Sequence, residues 1–438
     1  MTSWLKTTRR GFLSQAATAV AAPYVLTSTA LGVADKPAAS ERLTIGHIGT
    51  GGRGSHLMGN FLQVDACQSV AVADVDRGHG ERAKNAIEKK YAQAKRDGKY
   101  EGCEVYGDFR KLVARDDIDV VVIATPDHWH GLISVAAAKS GKDIYCEKPA
   151  TRTIAEGRAV CEAVKKYGRI FQTGSHERSN RNSRYACELV RNGRIGKLHT
   201  VEVSLPVDHG HCPMPKAPSP VPDGFDYDFW LGPAPMAPYY PQRCHFSFRY
   251  IRDYAMGEFS DRGAHVLDIG HWGMGCDDTG PVEISGTGEA PKDELYNTFR
   301  TFKAELKYAN GVKLMVESKG PRGVKFIGDK GWINVAIHGA HLSASDPELL
   351  KSKIGPDEIH LHESPGSHRD DFLKAVATRG ETVCPAEVGH RTNSALCLCE
   401  IAILRGRPLK WDPKAEKFLN DAEADRMIGR TMRAPWRL

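Results

Sequence analysis

The sequence predicts an α/β fold in two parts, a doubly wound parallel sheet followed by an antiparallel sheet. Three observations predict it. From Leu43 onward short β-branched runs alternate with helix-like stretches. A glycine-rich run, Gly49-Thr50-Gly51-Gly52-Arg53-Gly54, follows the first of those runs directly. Beyond Lys197 the pattern changes to the two-residue alternation of half-exposed strands. At 438 residues the chain exceeds one typical domain. The expected division is a leader over 1–34, a cofactor domain over 41–175, a substrate domain over 176–420 and a tail over 421–438.

Taken in order, Thr8-Arg9-Arg10-Gly11-Phe12-Leu13 has the twin-arginine form, and the small, apolar run Ala16–Leu26 suits the core of an export signal. A periplasmic or otherwise exported location is therefore expected. Nothing later is long and apolar enough for a membrane span, so the protein is not expected to be membrane-embedded. Strands are predicted over Leu43–Ile48, Ser69–Ala73, Val120–Ala124, Asp143–Cys146 and Arg169–Thr173. Helices are predicted over Glu81–Arg96 and Leu132–Lys139 from their alanine, lysine and glutamate content and apolar spacing. Leu198–Leu205 reads as a strand, and Pro206–Pro241 as a long proline-rich loop. The aromatics Phe225, Tyr227, Phe229, Trp230, Tyr239 and Tyr240 argue that this loop is ordered. A helix is expected from about Ala264. Alternating runs at Thr298–Leu306, Lys313–Ser318, Val324–Ile327 and Trp332–Ala336 follow, joined by turns such as Asn310-Gly311, as in an antiparallel sheet. Helices over Ser367–Thr378 and Ala386–Leu404 close the domain.

The glycine run asks for a dinucleotide. One glycine makes the turn out of the strand, a second admits the pyrophosphate, and a third packs the helix close to the sheet. Gly49, Gly51, Gly52, Arg53 and Gly54 are the expected phosphate cradle. Asp74 lies 20 residues beyond Gly54 at the end of a second strand, where a carboxylate takes the ribose hydroxyls of NAD; Arg77 nearby leaves NADP open. Ligands in such sheets bind beyond the carboxyl ends of the strands. Two loops qualify there, Thr125-Pro126-Asp127-His128-Trp129-His130 and Glu147-Lys148-Pro149. Thr125, Pro126 and His130 from the first and Glu147 with Lys148 from the second are expected at the cofactor. Lys148 can donate to a substrate hydroxyl and steady the alkoxide. In Asp261-Arg262-Gly263-Ala264-His265-Val266-Leu267-Asp268, helical spacing puts Asp261, His265 and Asp268 on one face. A histidine flanked by carboxylates is suited to general-base work; alternatively, the same residue types cap a helix over a buried histidine. His271 reads as structural.

The balance of 60 Lys+Arg against 54 Asp+Glu gives +6, with part of the excess at the chain ends and no basic stripe interleaved with aromatics. That excludes nucleic acid as the expected partner. Eleven cysteines without a C-x-x-C pair read as mostly buried free thiols, because the twin-arginine route exports proteins already folded in a reducing compartment. His128-x-His130, His209-x-His211 and His360-x-His362 lack a third ligand at metal-site spacing, so no metal is expected. Arg178, Arg249 and Tyr254 either line a sugar site or lie on the surface.

Together these motifs resemble those of the Gfo/Idh/MocA family, named for glucose-fructose oxidoreductase and inositol dehydrogenase. The carriers are Gly49 to Gly54, Glu147-Lys148-Pro149 for the family's E-K-P signature, and the Asp261 to His265 spacing inside DRGAHVLD. The resemblance spans nearly everything after the leader. It implies a Rossmann domain, then an α/β domain with an open, largely antiparallel sheet, usually in dimers or tetramers. It also implies catalytic roles for Lys148, Asp261 and His265, with His265 moving the hydroxyl proton. Phe229-Trp230-Leu231-Gly232-Pro233-Ala234-Pro235 and the Arg-Ala-Pro-Trp end are similar to a twin-arginine-exported branch. Two positions depart from the family: Asp127 stands where asparagine is frequent, and His176, two before Arg178, where glutamine is.

The expected function is NAD-dependent oxidation of a secondary hydroxyl on a sugar, glycoside or cyclitol. Alternatives are a glycosidase that oxidises its sugar transiently, and a non-catalytic nucleotide-binding partner or sensor. Because an exported protein meets little free nicotinamide cofactor, NAD is expected to be held tightly.

Overall fold

Short runs rich in valine, isoleucine and alanine become a six-stranded sheet: β1 (Leu43–Ile48), β2 (Cys67–Ala73), β3 (Glu104–Tyr106), β4 (Val120–Ile123), β5 (Asp143–Cys146) and β6 (Phe171–Thr173). The computed structural model describes residues 42–207, 210–338 and 341–438; the expected leader over 1–34 and His209 lie outside the described residues. The strand order is β3-β2-β1-β4-β5-β6 and every pairing is parallel. Strands β4 and β5 are buried along their whole length, as strands covered by helices on both faces must be. Helices α1 (Gly52–Phe61), α2 (Arg77–Lys90), α3 (Asp127–Lys139) and α4 (Ile154–Lys166) make the crossovers.

Three elements differ from expectation. Helix α2 starts before Glu81, because the Asp76 carboxylate caps it by accepting from the His79 N–H at 3.1 Å, and the run to Arg96 is broken at Tyr91. Helix α3 starts at Asp127, so Asp127 to His130 are helical rather than loop: Pro126 occupies the cap and Asp127 meets the positive end of the helix. The three-residue β3 is too short for its alternation to register.

The second sheet contains β7 (Leu198–Leu205), β8 (Glu283–Glu289), β9 (Thr301–Lys307), β10 (Lys313–Ser318), β11 (Gly323–Gly328), β12 (Gly331–Ala336), β13 (His341–Ala344), β14 (Leu409–Asp412) and β15 (Lys417–Phe418). Its order is β13-β12-β11-β7-β10-β9-β8-β14-β15. It is mixed and mostly antiparallel, since β7 runs parallel to β10 while its other neighbour, β11, is antiparallel. Alternate residues Val201, Val203 and Leu205 of β7 enter one core with apolar residues of α5 (Arg181–Arg191), α6 (Gly263–Met274) and α8 (Ala386–Arg405); α7 (His368–Thr378) instead packs Phe372 against Tyr145 of the first sheet. The long proline-rich loop carries its own core, in which Phe225, Tyr227, Trp230, Tyr239 and Tyr240 pack with Ile251 and Tyr254. All eleven cysteines are free thiols and ten are buried. No helix among the described residues is long and apolar enough to cross a membrane.

Candidate active site

The carboxyl ends of β1, β2, β4 and β5 open on one cleft of about 570 Å³, at the point where the strand order reverses. Its floor is the glycine run. Gly49 has φ +79°, and a Cβ there would meet the Thr125 amide nitrogen at 2.8 Å; a Cβ on Gly54 would meet the Gly49 carbonyl oxygen at 1.9 Å. Those two glycines let strand, turn and helix close on one another. A Cβ on Gly52 would meet nothing within 4 Å, so that backbone borders open space. The α1 ladder begins with the Ser55 N–H on Gly51 O at 2.8 Å, and the amides before it are those a helix leaves for an anion. The cradle therefore fits a pyrophosphate. Asp74 Oδ2 accepts from the Thr50 N–H at 2.7 Å and Oδ1 from the Asp76 N–H at 2.9 Å, which fixes the carboxylate at the cleft wall. Phe109, Trp129, Phe225 and Phe229 line the cleft with apolar rings.

At the other end two parts of the chain meet. Lys148 follows β5 and donates to Asp261 Oδ1 and to the Asp261 carbonyl, both at 2.6 Å. Arg249 Nε lies 3.3 Å from Asp261 Oδ1, and Arg262 donates to Oδ2 at 2.9 Å. Burial opposes charge on Asp261, yet Lys148 and Arg249 hold its carboxyl well below the usual range. His265 lines the same end beside His176 and His338, with ring centroids 4.6 and 5.1 Å away. Burial, then the neighbouring Lys148 charge, push its imidazole well below the ordinary value, so it stands neutral.

Several expected contacts are corrected. Asp261 and His265 do not share a continuous helix: Glu258–Asp261 is a separate short turn and α6 restarts at Gly263. Asp261 serves Lys148 rather than His265, whose Nδ1 has no hydrogen-bond partner. Asp268 points away into the core. It accepts from Arg178 Nε and Nη2 at 2.8 Å, and Arg178 also donates to Asp277 at 2.7 and 2.9 Å. Arg178 is 1% exposed and holds no free donor edge for a sugar; it is a structural cation. Tyr254 is fully buried, with its hydroxyl accepting from Arg243 at 3.2 Å, and does not line the cleft. Arg249 does. His130 is buried behind the cleft, where its two ring nitrogens face Pro149 O at 2.7 Å and Thr125 O at 2.8 Å. It ties the two cofactor loops together instead of touching cofactor. Arg53 and Glu147 both line the cleft but bind each other, Nε to Oε1 at 2.6 Å. Arg77 is exposed, and its guanidinium lies over Gly224, away from the cleft lining. His271 is buried and bonded to Tyr308.

The two histidine pairs that lie wholly among the described residues do not act as pairs. His128 donates to Trp230 O and His130 bridges carbonyls, while His360 faces Gly355 O and His362 faces Asp371. The residues that sequence reasoning missed are His79 and His245 near Asp74, and Glu177 and His338 near His265. His338 lies in the turn after β12, far along the chain, and no local pattern marks it.

Residues 43–175 match the NAD-binding Rossmann fold of the Gfo/Idh/MocA oxidoreductase family, and residues 210–438 match that family's C-terminal alpha/beta domain. Over 161 residues the chain is 38% identical to a glycosyl hydrolase family 109 protein of Solibacter usitatus, covering 34% of this chain and 35% of that one. Over 164 residues it is 29% identical to the myo-inositol 2-dehydrogenase of Thermotoga maritima, covering 37% and 45%. The matches thus span less than half the length of these two curated relatives. In fold it is similar to the WlbA dehydrogenase of Bordetella pertussis, solved with NADH and UDP-GlcNAcA, at a TM-score of 0.60 and 16% identity over 85% of this chain and 99% of that one. The cradle, the Glu147-Lys148-Pro149 loop and both domain matches lead to one conclusion: the chain belongs to the Gfo/Idh/MocA family of oxidoreductases.

Proposed function

We propose that this protein is an NAD-dependent oxidoreductase acting on a secondary hydroxyl of a sugar, glycoside or cyclitol. The observation that carries this reading is the meeting of Lys148, Asp261 and His265 at the end of a cleft whose other end is a dinucleotide cradle. NAD, when bound, supplies the hydride acceptor. The Lys148 ammonium, aimed by Asp261, donates to the reacting oxygen as negative charge builds on it. Neutral His265 takes the hydroxyl proton. Arg249, packed on Phe246 and Phe248, offers donors to the remaining hydroxyls. NAD is favoured over NADP because Asp74 and Asp76 line the ribose end and would repel a further phosphate.

The cofactor is resident. The chain end straps the aromatic wall: Arg433 donates to Gly232 O at 3.0 Å, and Trp436 packs edge-on against Trp129 and Phe229. With the twin-arginine leader, such retention suits an enzyme loaded with NAD before export, and a dimer or tetramer is its working form. Denaturing purified mature protein should release about one nicotinamide per chain, and sugars that bind should raise the melting temperature only when NAD is present. A chain that purifies without nicotinamide and binds NAD weakly contradicts residence.

The likeness to a family 109 glycosyl hydrolase favours a second reading, transient oxidation followed by cleavage of the glycoside. Stoichiometry separates the two. Net transfer to NAD or to an acceptor sugar supports the first, and glycoside cleavage without net reduction supports the second.

A further inference from the structure

We propose that His176, Glu177 and His338 form a binding site for one divalent transition-metal cation beside His265. Glu177 and His338 are 161 residues apart in sequence, brought together because the turn after β6 lies against the end of β12. One ligand atom from each of the three residues lies within 4.8 Å of the others. Glu177 Oε1 is 2.9 Å from His338 Nδ1 and 3.6 Å from His176 Nε2, and the two imidazoles stack at 17°. Donors on a four-coordinate zinc at ~2.1 Å stand roughly 3.4 Å apart, a spacing that these distances bracket.

One further observation points to a ligand. Glu177 is 3% exposed, and its second oxygen, Oε2, has no hydrogen-bond partner; His176 Nδ1 and His265 Nδ1 are also unpartnered. Buried polar atoms without partners are rare in native folds. His338 sits at φ 61°, in the left-handed region that few residues other than glycine adopt, and its backbone N–H lies 3.3 Å from the Glu177 carboxylate. The nearby cations are engaged elsewhere, Arg53 by Glu147 and Lys148 by Asp261, and the 2.9 Å contact of Glu177 Oε1 with His338 Nδ1 is a hydrogen bond that a bound cation would replace. Two imidazoles and a carboxylate suit zinc, cobalt or nickel. Because His176 and His338 line the cleft, the remaining coordination positions are open to substrate oxygens, and the cation would select a vicinal diol or a hydroxy acid. That use rests on the function proposed above; metal binding itself does not.

The test uses NAD-loaded protein, stripped with chelator and titrated with Co²⁺, whose visible absorption reports coordination, and then with Zn²⁺ in competition. One equivalent of Co²⁺ should develop the absorption, and His176→Ala and His338→Ala should each weaken binding at least about tenfold without loss of NAD. His338→Asn keeps a donor for Glu177 but supplies a poorer ligand, and should weaken binding similarly. His245→Ala, in the separate Asp76, His79 and His245 group, should leave the titration unchanged. No absorption in the native chain, or an identical titration in the His176→Ala/His338→Ala double variant, overturns the site. A chain that binds Co²⁺ in this manner but oxidises no sugar overturns the proposed function and leaves the metal site standing.

Discussion

Arg178 and Arg249 show how a residue's role is decided by its partners. For both, sequence left a sugar site and the surface open, yet Arg178 is locked between Asp268 and Asp277 while Arg249 faces the cleft beside Asp261. Removing Arg178 leaves the Asp268 carboxylate buried and unpaired, so Arg178→Ala should lower the unfolding free energy by about 3–5 kcal/mol in chemical denaturation. A fully stable variant with a raised KM would instead restore Arg178 to the substrate. Gly54→Ala should abolish NAD binding measured by calorimetry, because its Cβ would strike the Gly49 carbonyl and push α1 off the strand. The glycines were legible in sequence because their spacing is local, and Lys148 because it sits in the local Glu147-Lys148-Pro149 motif, although its partner Asp261 lies 113 residues away. Arg178, Tyr254 and His130 were not, because their partners Asp277, Arg243 and Pro149 come from elsewhere in the fold.

Among the elements, the ones that alternate cleanly were legible, as β7 shows. Strand β8 was hidden by Gly286 and Gly288, which look like breakers in sequence. In the fold they make room for Ile403 and Phe299, which a Cβ would meet at 2.9 and 3.0 Å. The strap over the aromatic wall is likewise a product of packing: Gly232, at φ +52°, leaves space that Trp129 fills, and Trp436 covers it. Trp436→Ala with Arg433→Ala should speed NAD release at least about tenfold, read by stopped-flow displacement, with the fold retained. A second joint fastens α4 to α8, where Arg158 donates to both Glu387 and Glu416, and His390 bonds Glu416. Burial alone would raise these carboxyls, but Arg158 and, for Glu416, His390 hold both at about 2 against an ordinary 4.5. Their folded values are depressed, so the stability they add is full above about pH 4.5 and is lost as pH falls toward 2. The melting temperature should drop through that window, and Glu416→Gln should flatten the drop.

At the scale of the whole molecule, the sequence order of a parallel sheet followed by an alternating one foretold the architecture. It did not reveal how the reacting end is assembled. Lys148 comes from the end of β5 and His265 from α6, and neither makes a site until β7, inserted between β10 and β11, carries the second sheet with α6 packed on it. The central claim is that this junction moves the hydroxyl proton while the glycine cradle independently holds NAD. Sugar-dependent change in bound nicotinamide absorbance, measured side by side in the native chain and in His265→Ala and Lys148→Ala variants with NAD content determined on the same samples, tests it most directly. The predicted result is a loss of about 10²–10⁴-fold in rate with nicotinamide content unchanged; variants that reduce bound NAD at the native rate would contradict it.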